Sequence, residues 1–71
     1  AAIRGRCIEK FGRHIVAAQW DHLVFQAPGC WFKLDLRDMF DPATIRETLA
    51  AVSAADSVRD LALIPFAKPM E

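Results

Sequence analysis

The apolar residues of this chain are spaced for a helix up to Phe11 and alternate from His22, and this change of period limits the folds open to it. Ile3, Cys7, Ile8 and Phe11 share one helical face while Arg4, Arg6, Glu9 and Lys10 fill the others, which predicts a helix from Ala2 to Phe11. Gly12 is expected to end that helix in the left-handed conformation, with Lys10 near its negative end. Gly5, inside the helix, costs roughly 1 kcal/mol relative to Ala, and close approach of another backbone is the expected reason for it. His14 to Ala18 reads as a further short turn. From His22 onward, Leu23 and Phe25 alternate with His22, Val24 and Gln26; later, Phe32, Leu34 and Leu36 alternate with Trp31, Lys33 and Asp35. Between these runs Pro28 presets one corner of a turn and Gly29 accepts positive φ at the next, so the pair predicts a β-hairpin.

A two-stranded hairpin is marginal by itself, and the C-terminal half offers helices to cover it. Asp41 can cap exposed amides, Pro42 suits the first helical position, and Ile45, Leu49 and Val52 form an apolar stripe. Ser53-Ala54-Ala55-Asp56 resembles a capping box with Asp in place of Glu, followed by a short helix bearing Val58, Leu61 and Ala62. Pro65 and Pro69 forbid a regular helix and predict an extended tail over residues 63–71. The expected architecture is an α+β fold, one small domain over residues 1–71, with an N-terminal helix, a β-hairpin and two C-terminal helices.

Seventy-one residues build only a thin core, yet 54% of them are apolar, with two Trp and five Phe, so part of that surface is expected to face a partner. Nine basic and nine acidic residues cancel, which disfavours nucleic acid and an anionic membrane surface as partners. Cys7 and Cys30 lack a paired-Cys spacing and accompany neither a signal peptide nor a membrane-spanning run, so a cytoplasmic setting is expected, with both thiols packed as small hydrophobes. Arg4, Arg6 and Lys10 lie near Cys7, but nothing in the spacing makes it a nucleophile. His14, Asp21 and His22 lack zinc-site spacing; local hydrogen bonding is the expected role, with Asp21 fixing the strand start. Arg46, Glu47, Arg59 and Asp60 read as solvated helix faces. With no phosphate-binding glycine loop, nucleophile elbow or carboxylate cluster, no catalytic residue and no metal ligand is assigned, and the isolated chain is expected to be inactive.

Arg4-Gly5, the helix closing on Phe11-Gly12, the small pair Ala17-Ala18 and the run Trp20-Asp21-His22-Leu23-Val24-Phe25 together resemble the small C-terminal domain of the Pup ligase and depupylase (proteasome accessory factor A) family. Such enzymes attach or remove a prokaryotic ubiquitin-like protein, Pup, on lysines. The resemblance runs from Ile3 to about Phe25 and more loosely from Leu36 to Leu63; His22 stands where the family carries Ser, and Arg37 to Thr44 keeps a helix start without the family's basic-glycine element. It implies a segment excised from a larger enzyme, whose glutamine-synthetase-like domain binds ATP and Mg2+ with metal ligands outside this chain. A ligase of this kind phosphorylates the C-terminal glutamate of Pup and transfers the acyl group to a lysine.

This domain would brace the nucleotide pocket, with Trp20 stacking on adenine and Arg4 reaching the nucleotide or the neighbouring domain. The residues alone also allow blander roles: Trp20 packed between helix and hairpin, and Arg4 and Arg6 as solvated cations. For the whole chain the alternative is a stand-alone protein-interaction module using a hairpin edge or exposed aromatics. A helix-turn-helix reader of DNA is weaker, because residues 58–63 offer only Arg59 as a basic side chain.

Overall fold

The computed structural model describes residues 2–38 and 41–70, so Ala1, Met39, Phe40 and the Glu71 end of the expected tail lie outside the described residues. Helix α1 spans Ala2–Phe11, as the apolar spacing predicts, and buries Ile3, Cys7 and Phe11. It does not end on a left-handed glycine. The chain tightens into a 3-10 turn over Gly12–His14, and Gly29 at φ 82° carries the positive φ found among the described residues. Nor does Gly5 admit a second backbone, since a Cβ built there meets nothing within 4 Å.

The expected turn at His14 to Ala18 is replaced by strand β1, Ile15–Ala18. Its backbone amides find partners on β2, His22–Ala27, with Ile15 opposite Phe25 and Ala17 opposite Val24, and a bulge falls between them at Val16. Strand β3, Cys30–Asp35, completes the predicted hairpin, and the positive φ of Gly29 closes its turn. Phe25 and Phe32 face each other in that register, their rings stacked at 5.1 Å. After β3 the chain makes a 3-10 turn at Leu36–Asp38.

Helix α2, Pro42–Ala54, begins where Asp41-Pro42 predicts; the Asp41 carboxylate accepts from the Thr44 amide at 3.0 Å. Ser53 lies inside α2, so the capping box expected at Ser53 to Asp56 does not form. The helix start is instead fixed by the Asp60 carboxylate, which accepts from the amides of Asp56 and Ser57 ahead of α3, Val58–Leu61. The chain then returns as strand β4, Ala67–Met70, antiparallel to β3.

The fold is therefore α+β, and the hairpin is the centre of a four-stranded antiparallel sheet in the order β1-β2-β3-β4. One face of the sheet packs Leu23, Phe25, Phe32 and Leu34 against Cys7 and Phe11 of α1, Val52 of α2 and Leu61 of α3. Lys10 adds a polar clasp: its ammonium donates to the carbonyls of Val52, Ser53 and Ala55 at 3.0, 2.7 and 2.9 Å, satisfying the C-terminal end of α2, which has no basic residue in its own last turn. Cys7 is fully buried as expected, but Cys30 is exposed: it opens β3 at the hairpin turn, at the end of the sheet.

Candidate functional site

Trp20 sits on the turn between β1 and β2 and is 81% exposed, so it is not packed between helix and hairpin in this chain. Leaving so large an apolar side chain in water forgoes roughly 2 kcal/mol of burial, which marks the position for contact with something else. The backbone beside it is nonetheless held firmly. Gln19 donates its amide to the His22 carbonyl at 2.9 Å, and the Leu36 amide donates to the Asp21 carbonyl at 2.8 Å. From α1, Arg4 Nε donates to the Gln19 carbonyl at 3.4 Å. The structure thus brings Arg4 and Trp20, the two expected site residues, to one corner of the molecule. Part of Arg4's hydrogen-bonding capacity is spent on the Trp20 turn itself, while Arg6 is exposed on the same helix.

A charged relay underlies that corner. Asp21 Oδ1 lies 2.8 Å from His22 Nδ1, the local bonding expected of this pair, and Asp21 Oδ2 lies 3.7 Å from Arg37 Nη1. Arg37 is fixed in turn by Asp35, whose carboxylate accepts from Arg37 Nη2 at 2.9 Å, from Nε at 3.0 Å and from the Arg37 backbone amide at 3.0 Å. These side-chain bonds, followed by the backbone bond, hold the Asp35 carboxyl well below the usual carboxylate range. Sequence reasoning missed Arg37 and Asp35. The signal was an acid and an arginine two residues apart where a strand ends, which lets a guanidinium fold back on a carboxylate.

The remaining reactive groups do not join this corner. Burial pushes the Cys7 thiol up to about 11, which keeps it protonated and unreactive at neutral pH. One surface concavity lies at the hairpin tip, lined by Arg13, Pro28 and Trp31 among others, and a second lies between the end of α1 and the start of α3, lined by Lys10, Ser57 and Arg59 among others. That tip is at the far end of β2 from Trp20, so Trp20 presents a projecting ring and not a pocket wall. No group of three or more His, Cys, Asp or Glu among the described residues could hold a metal ion. Among the same residues no helix is long and apolar enough to cross a membrane.

One stretch of the chain matches a depupylase. The similarity to the depupylase of Acidothermus cellulolyticus is 55% identity over 29 residues, which is 41% of this chain and 6% of that protein. A relationship to the Pup ligase and depupylase family is thereby supported over that stretch, and the chain spans only a small fraction of the relative's length. No family model matches the chain, and no solved structure matches it.

Proposed function

We propose that this chain is the accessory C-terminal domain of an ATP-dependent enzyme of the Pup ligase and depupylase group, bracing the nucleotide site of a glutamine-synthetase-like catalytic domain. The observation that carries this reading is Trp20, an indole 81% exposed on a turn whose backbone is fastened from α1, β2 and the residue after β3. A ring held that way is preorganised for a flat partner, and adenine stacks on such a face without any change in the protein. The 29-residue match to a depupylase supports the family part of this reading. ATP and Mg2+ belong to the larger domain, with Mg2+ held by residues outside this chain. Arg4 steadies the Trp20 turn through Gln19 and faces the nucleotide or the adjoining domain. Pup reaches this domain through the parent enzyme, and a cytoplasmic location goes with the reading.

Base-on-aromatic stacking contributes about 1–3 kcal/mol, so Trp20→Ala in the parent enzyme is expected to weaken ATP binding about tenfold. Calorimetry on the purified variant measures this directly. The thermal midpoint of the 71-residue chain should not move, because the ring is outside the core. Unchanged nucleotide affinity would remove Trp20 from the site.

A second reading, a stand-alone interaction module, is favoured by Leu63, which is 82% exposed after α3 and has no part in the Trp20 corner. Under that reading Leu63→Ser weakens binding of a protein partner, and Trp20→Ala leaves nucleotide affinity as it was.

A further inference from the structure

The hollow between the end of α1 and the start of α3 carries an inference that does not rest on the nucleotide reading. Three of the chain's nine cationic side chains line it, Lys10, Arg13 and Arg59, against one of its nine carboxylates, Asp56. His14 stands beside them. The cations come from three different elements: Lys10 from the last turn of α1, Arg13 from the 3-10 turn at Gly12–His14, and Arg59 from α3.

These groups differ in what they have left to offer. Lys10 spends its three ammonium hydrogens on the carbonyls at the end of α2, so it contributes a fixed charge and no free donor. Arg13, His14 and Arg59 form no ion pair and no side-chain hydrogen bond among the described residues, and the Asp56 carboxylate is within ion-pair distance of none of them. The nearby Asp60 carboxylate is turned to the amides of Asp56 and Ser57, which leaves those amides taken and makes side chains the available donors. Gathering like charges in one hollow costs repulsion that a bound anion would remove. In a chain of net charge +0 this excess is local and does not follow from an overall basic balance.

We propose that this hollow binds a phosphate monoester or free phosphate, gripped by Arg13 and Arg59, with His14 as a third donor and Lys10 as a background charge. Two guanidinium forks on separate elements each seek a pair of acceptor oxygens. The oxygens of a phosphate serve both forks, whereas the two of a carboxylate are used up by one. The hollow is separate from the Trp20 corner, which lies past the other end of β1, a strand of four residues spanning about 13 Å. Nucleic acid is a poor occupant, because its phosphates run in series and call for a basic stripe, while these cations are gathered in one place.

The test titrates the isotope-labelled 71-residue chain with inorganic phosphate and, separately, with blocked phosphoserine. Saturable chemical-shift changes are expected at the amides of Arg13, His14 and Arg59, and the tighter of the two ligands shows whether the phosphate is free or carried on a side chain. The double variant Arg13→Gln/Arg59→Gln should weaken binding at least about tenfold. Its thermal midpoint should stay where it was, because neither side chain has a partner to lose. Arg46→Gln removes an exposed cation of α2 outside the hollow and should change affinity by less than about twofold. Equal binding of blocked glutamate, an equal loss in Arg46→Gln, shifts that never saturate or fall elsewhere, or tighter binding of oligothymidylate would each overturn the proposal.

Discussion

Asp35 and Cys7 are displaced in opposite directions, and together they bracket the pH range in which the domain is most stable. Arg37 holds the Asp35 carboxylate charged far into acid. The unfolded chain takes up that proton near pH 4, so below this the unfolded state binds more protons and stability falls with pH. Burial keeps the Cys7 thiol protonated up to about 11 from an ordinary 9.0, so through that interval the unfolded thiol ionises first and stability falls as pH rises. The urea midpoint is therefore expected to be flat between about pH 5 and 8 and lower on either side. Arg37→Met should shrink the acid limb, and an acid limb unaffected by it would dismiss the Asp35 clasp as a source of stability. At this scale the sequence was partly legible. The Asp21-His22 bond follows from adjacency, whereas nothing in the letters around Trp20 shows whether its ring is inside or out, because burial is decided by the turn that carries it.

Among the elements, those written in local chemistry were legible: α1 from its apolar spacing, the hairpin from Pro28-Gly29, and the start of α2 from Asp41-Pro42. Strand β1 was not, since Ile15-Val16-Ala17-Ala18 is too short to show a period and is interrupted by a bulge; its identity comes from the partner strand. The capping signal before α3 was misplaced by a few residues because α2 continues through Ser53 and Ala54, pushing the cap to Ser57, with Asp60 bonding back to its amide. The bond from Lys10 to α2 was equally hidden. A lysine in a last helical turn predicts service to its own helix, yet its ammonium serves a helix whose carbonyls lie more than forty residues on. Lys10→Met keeps the stem and removes the donors, so it should destabilise the chain by about 1–2 kcal/mol. Urea unfolding measures that loss, and a change within error would mean that water serves those carbonyls as well.

For the whole molecule the α+β class was legible from the order of periods, but the four-stranded sheet was not. The prolines of residues 63–71 signal extended chain without naming a partner, and Pro69 is tolerated because β4 lies at the sheet edge. Lys68 and Pro69 also give that edge a charge and a missing donor, both of which discourage strand addition. Ending the chain at Phe66 would leave β3 as the edge, with Phe32 and Leu34 beside its unpaired backbone. Such a variant is expected to self-associate, and sedimentation velocity would detect it; a monomer would show that β4 is dispensable as an edge cover. The long reach of Lys10 has a further consequence, for the order in which the molecule assembles. Its bonds span 42, 43 and 45 residues, so during synthesis the hairpin can close as soon as Asp35 has emerged, while α1 must wait for Ala55 before its end of the helical layer is secured.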